Sequence, residues 1–222
     1  MEKKEYRWKL GDLKNIKKNG LKVFSTFSCG GGSSMGYKLA GYDLLGNCEI
    51  DPQMMKIYRK NHNPIYPFLM DIRDFNKMEN LPDELFDLDI FDGSPPCSVF
   101  SIAGDREKAW GKEKAFRKGQ AKQSLDDLFF HYLDAVERLR PKIFVAENVK
   151  GMVSGNAKGY VKLVIERAKE IGYDVQLFLL NAATMGAPQR RERVFFIGRR
   201  KDLNLLPLKL SFNEPPIVYK EF

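Results

Sequence analysis

Apolar residues in this chain fall into short runs separated by segments of helical period. LKVFSTF (21–27), YDLLGNCEI (42–50), LDIFDG (88–93), KIFVAEN (142–148), DVQLFLLNA (174–182) and RVFFIGR (193–199) are β-rich and several are apolar on both faces, which predicts buried strands. Between them, CGGGSSMGYKLAG predicts a glycine turn opening into a helix that ends near Gly41. DPQMMKIYRKNH (51–62) opens with Asp then Pro, a helix-start signal, and SLDDLFFHYLDAVERLR (124–140) has a Ser-x-x-Asp start and a stop at Pro141. YVKLVIERAKEIG (160–172) predicts a further amphipathic helix. From Ser98 to Lys122 the periodicity is lost, and a long loop is expected there.

Strands alternating with helices predict an α/β fold of Rossmann-like architecture, a mostly parallel central sheet with helices on both faces. Ligands of such sheets bind beyond the carboxyl ends of the strands. Phe27 to Gly32, Glu49, Asp51, Asp92 to Cys97, and Glu147 with Asn148 stand at those ends, and they include most of the chemically able residues of the chain. The expected organisation is an extension over 1–20, a catalytic domain over 21–200 and an exit segment over 201–222.

The bulk composition narrows the function classes. No apolar run approaches the ~20 residues of a membrane span. The charged amino-terminal stretch has no apolar core of a secretory signal, so a cytoplasmic protein is expected. The three cysteines, Cys29, Cys48 and Cys97, are odd in number and widely spaced, and only His62 and His131 accompany them. Neither a disulfide framework nor a metal site is expected. A formal net charge of +8 fits either a polyanionic partner, nucleic acid first, or a plain solvated basic surface.

Two constellations carry candidate chemistry. Gly30, Gly31 and Gly32 follow the first strand, where glycine lets the backbone turn sharply and approach a ligand. Met35 occupies the last glycine position of a dinucleotide fingerprint, which weakens an NAD reading. Glu49 ends the next strand at the distance expected of a ribose-binding acid, and Asp71 could serve an adenine edge. A nucleoside-bearing cofactor without a pyrophosphate fits better. In the second constellation, SPPCS holds Cys97 behind two prolines that fix φ near about −65°, a poised nucleophile with no histidine beside it. ENV and then QRRER follow on later strands. A thiol, a carboxylate and an arginine could together hold a neutral heterocycle. Each also has a structural reading: a buried small residue, a rim acid in a salt bridge, a solvated basic face.

In this order the motifs resemble the DNA cytosine-5 methyltransferase family. FSCGGG resembles its first motif, PPCS its nucleophile motif, ENV its acid motif and QRRER its arginine motif, with LLNAATMGAPQ matching the stretch before the arginines. The resemblance implies S-adenosylmethionine as cofactor, S-adenosylhomocysteine as product, and a cytosine flipped out of double-stranded DNA. It implies that Cys97 attacks C6, Glu147 holds N3, Arg193 binds O2 with Arg191 in support, and Pro96 and Asn148 shape the pocket. It assigns the cofactor to Phe27, Ser28, Cys29, Gly30, Gly31, Gly32, Glu49, Ile50, Asp71, Ile72 and Asp92. It assigns DNA contacts to Ser98, Ser101, Arg106, Lys108, Lys112 and Gln189, most of them in a basic loop that closes over bound DNA in the family.

Two departures stand out. Cys29 occupies the place of the motif's first glycine. The family continues into a target-recognition region and two further motifs that 222 residues do not accommodate, so an exposed apolar seam is expected, and the chain reads either as a truncated product or as one subunit of a split enzyme whose second polypeptide carries that region. The expected reaction is methylation of cytosine C5 in DNA, in a bacterial or phage-encoded restriction-modification setting. RNA as substrate, one branch of the family resembling a tRNA methyltransferase, and a catalytically silent accessory subunit are the alternatives.

Overall fold

The apolar runs pair into one seven-stranded sheet of order β3-β2-β1-β4-β5-β7-β6. These strands are β1 (Lys22–Thr26), β2 (Asp43–Glu49), β3 (Tyr66–Leu69), β4 (Ile90–Gly93), β5 (Ile143–Val149), β6 (Tyr173–Asn181) and β7 (Glu192–Arg200). β3, β2, β1, β4 and β5 run parallel, and β7 enters antiparallel between β5 and β6. The structure is a computed structural model and describes residues 9–96, 127–154, 157–210, 212, 214, 215 and 217.

Five helices connect the strands: α1 (Gly32–Leu39), α2 (Pro52–His62), α3 (Ile72–Lys77), α4 (Leu128–Leu139) and α5 (Ala157–Glu170). The Asp-Pro start of α2 works as the sequence implies, because the Asp51 carboxylate accepts from the backbone N–H groups of Gln53 (2.8 Å) and Met54 (3.2 Å). α4 starts at Leu128, and the Ser124 signal lies outside the described residues.

β3 and α3 are additions to the sequence reading. β3 is four residues long, contains Pro67 and sits at the sheet edge, where a missing backbone donor is tolerated. α3 is six residues long and is capped by Asp71, which accepts from Arg73 N–H at 2.8 Å. Both are too short to show a period.

The central strands are registered by aromatic rings. Phe24 pairs with Phe91, Phe91 with Phe144, and Phe144 with Gly198 across β1, β4, β5 and β7. Phe24 and Phe91 stack at 6.1 Å. Gly198 ends the row because a Cβ there would lie 2.0 Å from the Phe144 ring. Tyr132 of α4 packs on Phe91 at 5.2 Å, and its hydroxyl reaches the carbonyls of Phe91 (2.8 Å) and Val145 (3.0 Å). All four aromatics are fully buried, so burial and ring packing together set the strand register.

The strand order reverses between β1 and β4, and the crevice at that point opens beside the loop after β1 and the turn after β4. Beyond β7 the chain turns through Lys201–Leu203 and runs back along β6. There the Gln176 amide exchanges hydrogen bonds with the backbone of Leu208, at 2.8 and 3.1 Å. Leu205, Leu206, Leu210, Phe212 and Ile217 of this segment are exposed. Among the described residues no helix is long and apolar enough to cross a membrane.

Candidate active site

The loop after β1 is built from unusual backbone. Phe27 and Cys29 have φ of 50° and 46°, and Gly31 has φ of 90°. Left-handed φ is costly for residues with a Cβ, so the surrounding structure must hold this loop in place. At Gly31 a Cβ would lie 2.1 Å from His62 Nε2, so the loop also rests closely on α2.

Glu49 organises this loop. One carboxylate oxygen accepts from Cys29 N–H (2.7 Å) and the other from Asp51 N–H (2.9 Å). Burial raises the Glu49 pKa, and backbone hydrogen bonds from Asp51, Cys29 and Ile50 oppose that rise.

Phe27, Glu49, Ile50, Asp71 and Ile72, all expected at the cofactor, line one pocket of about 250 Å³ together with Thr26, Cys48, Met70 and Leu128. Its walls are mostly apolar and its two carboxylates, Glu49 and Asp71, are acceptors, which fits a nucleoside whose ring is sandwiched and whose hydroxyl and amino groups donate. Asp71 does two other jobs as well, capping α3 and pairing with Arg73 at 3.1 Å. Gly30, Gly31 and Gly32 line a separate open recess with Met35, Leu39 and His62. Ser28 is buried and its hydroxyl accepts from the Asn47 amide at 2.8 Å.

Asp92 does not line the pocket. Its buried carboxylate faces α1 and accepts from Ser33 (2.8 Å), Tyr37 (3.2 Å) and Ser25 (3.3 Å) hydroxyls. Burial pushes its pKa up to about 6 against those three donors.

The second half of the site gathers at the carboxyl end of β5. Register places Val149 opposite Arg193 and Glu147 opposite Phe195, so Glu147 and Arg193 are diagonal neighbours on one sheet face. Glu147 Oε1 lies 2.8 Å from Arg193 Nε, both side chains about a quarter exposed, at 26% and 23%. Burial raises the Glu147 pKa, and Arg193 and then Arg191 pull it back. Asn148, the next residue on β5, is buried: its Nδ2 donates to the Pro95 carbonyl (2.9 Å) and its Oδ1 accepts from Val149 N–H (2.9 Å). Pro96 is half-buried, and Gln189 and Arg191 are exposed. Cys97, Ser98, Ser101, Arg106, Lys108 and Lys112 lie outside the described residues.

The structure therefore joins Glu147, Asn148, Arg193 and the Pro95–Pro96 turn at one end of the sheet, and five of the expected cofactor residues around one pocket. Sequence reasoning missed Leu128 and Met70 as pocket walls and Ser33 and Tyr37 as partners of Asp92. The serine pair after the glycines was visible, but only the fold brings Ser33 onto Asp92 and Ser34 onto Ser25.

A family model described as C-5 cytosine-specific DNA methylase matches residues 21–220. Type II methyltransferase M.FnuDI of Fusobacterium nucleatum is 36% identical over 201 residues, covering 90% of this chain and 52% of that protein. M.NgoPII of Neisseria gonorrhoeae is 35% identical, covering 87% and 51%, and the orphan methyltransferase M.Rho11sI of Bacillus phage rho11s is 34% identical, covering 82% and 34%. Among solved structures, one described as a DNA modification methyltransferase encoded within an E. coli prophage superposes with a TM-score of 0.64 at 26% identity, covering 90% of this chain and 52% of that one. Spodoptera frugiperda DNMT2 shares the fold, with a TM-score of 0.61 at 22% identity. The chain spans about half the length of M.FnuDI and M.NgoPII.

Proposed function

Because the chain belongs to the C-5 cytosine-specific DNA methylase family, we propose that it carries the catalytic part of a DNA (cytosine-5)-methyltransferase acting on a flipped cytosine. The observation that carries this is the Glu147–Arg193 pair, set beside an Asn148 that grips the turn leading into Cys97.

In this reading the Cys97 thiolate adds to C6 of the ring, and the displaced electron pair moves toward C5. Glu147 holds a proton at N3 as negative charge develops. Burial favours its protonated form, which supports that role. Arg193 donates to O2, and Arg191 adds positive potential from the surface. S-adenosylmethionine, when bound, supplies an electrophilic methyl group to C5. Loss of the C5 proton and departure of the thiolate then restore the ring and the enzyme. Phe27, Ile50, Ile72 and Leu128 would enclose the adenine, Glu49 would accept from the ribose diol, and Asp71 from the amino group. The basic loop over 98–122 would meet phosphates, with Ser98, Ser101, Arg106, Lys108, Lys112 and also Gln189 at the DNA. Target recognition would be supplied by a further region, carried on the same protein or on a second polypeptide.

The test is transfer of labelled methyl from S-adenosylmethionine to duplex DNA and, separately, to RNA, with and without a complementing carboxyl-terminal part. DNA labelling that Cys97→Ala abolishes, with a covalent adduct on 5-fluorocytosine DNA, supports the proposal. Labelling of RNA alone assigns the other substrate. No labelling under any condition by a folded chain makes it an accessory subunit.

A further inference from the structure

Asp92 has no place in the chemistry above, yet it is the sink of a directed chain of hydroxyls. The Ser34 hydroxyl donates to Ser25 (3.1 Å), and Ser25 donates to Asp92 Oδ2 (3.3 Å). Ser34 has then used its only hydrogen, so Tyr58 of α2, 2.8 Å away, must donate to it. Ser33 and Tyr37 of α1 donate to the same carboxylate from above. The Thr26 hydroxyl donates to the Asp92 backbone carbonyl at 3.2 Å. The carboxylate can only accept, so it fixes the donor direction of the side-chain hydroxyls that lead to it.

The chain thus connects α2, the first turns of α1, β1 and β4. Ser33 directly follows the glycine loop, and Asp92 is followed on its own strand by Gly93 and the Pro95–Pro96 turn. We propose that Asp92 is a positioning residue that tethers the glycine loop to the strand entering the nucleophile turn, keeping the two halves of the site in fixed relation. The tether stands on the hydrogen bonds; its bearing on cofactor affinity rests on the methyltransferase reading. Ser33 and Tyr37 transmit it, and neither lines the nucleoside pocket. The titratable groups interacting with Asp92 among the described residues are Tyr37 on α1, Tyr58 on α2, Tyr132 on α4 and Glu147 on β5. Because burial pushes the Asp92 pKa up to about 6, the tether should loosen as pH falls through that value, when the carboxyl must donate rather than only accept.

The test combines amide hydrogen exchange of residues 29–34 with titration of S-adenosylhomocysteine into the 222-residue chain from pH 5 to 8. Wild type should gain loop protection and affinity as pH rises through about 6. Asp92→Asn should show no such step, and at pH 8 bind roughly tenfold more weakly, as for loss of a charge-assisted hydrogen bond. Ser33→Ala and Tyr37→Phe, each deleting one donor, should fall between, and they carry the test if Asp92→Asn does not fold. An unchanged step in folded Asp92→Asn, or wild-type behaviour in both donor variants, overturns the proposal. A wild-type chain that shows the exchange step but binds no S-adenosyl compound supports the tether and removes the cofactor reading instead.

Discussion

Glu147 and Arg193, distant in sequence, meet at 2.8 Å because β7 runs antiparallel to β5 and begins its course one diagonal step from the acid. A parallel strand would have delivered Arg193 to the opposite end of the sheet. The acid is held between two opposing influences, burial that favours its proton and two arginines that disfavour it.

Glu147→Gln keeps the shape and removes the acid proton. Methyl transfer by the complemented chain should fall about 10²–10⁴-fold, the usual contribution of a positioned acid. Arg193→Ala also lowers the rate, and it removes the largest influence opposing the raised Glu147 pKa. The protonated acid is the working form, so activity declines as pH rises through its pKa. In Arg193→Ala that alkaline limb should move to higher pH, which a pH–rate profile of the residual activity checks.

Asn148 satisfies a proline carbonyl that has no strand partner. Asn148→Ala leaves that buried oxygen unpaired and should cost about 1–3 kcal/mol in urea unfolding. It should also slow adduct formation on 5-fluorocytosine DNA in samples that remain folded, since the Pro95–Pro96 turn loses its anchor.

Most of the parallel half of the sheet was legible because each strand is a buried apolar run, and the Asp-Pro helix start named its own cap. β3 and α3 were not, because a four-residue edge strand with a proline and a six-residue helix carry no periodic signal. The acid, amide and arginine were legible as short motifs. What the sequence hid is how they are held: that Asn148 reaches Pro95, that Glu49 braces the glycine loop, and that Asp92 turns from the pocket toward two residues of α1. Those are contacts between segments whose spacing only the folded sheet sets.

Cys29 stands where the family has glycine, and the structure shows how the loop accepts it: the residue keeps the left-handed φ of 46° that suits glycine. Cys29→Gly should therefore be tolerated, relief of strain offsetting the added freedom of the unfolded chain. Cys29→Val places a β-branched side chain in the same conformation and should destabilise by about 1–2 kcal/mol. Thermal and urea unfolding of the two variants would separate them, and equal losses would show that the thiol contributes by packing.

Asp92 also makes a prediction for stability, with a sign opposite to that of a salt-bridged acid. Its folded pKa, about 6, lies above the 3.8 of a free side chain. Between those values the native state holds more protons than the unfolded state, so stability falls as pH rises through the window. Below it, Asp92→Asn replaces a neutral acid by a neutral amide, and the two proteins should differ little. Above it, the variant no longer buries a charge and should be the more stable by up to about 3 kcal/mol. Carboxylates whose titration the substitution leaves unchanged cancel in the comparison of variant with wild type, so paired urea melts from pH 4 to 8 isolate this one. A variant that is more stable at pH 8 yet looser in the glycine loop would show that the ionised tether is retained for positioning and at a cost in stability. A variant equally destabilised at every pH would show a carboxylate that merely packs.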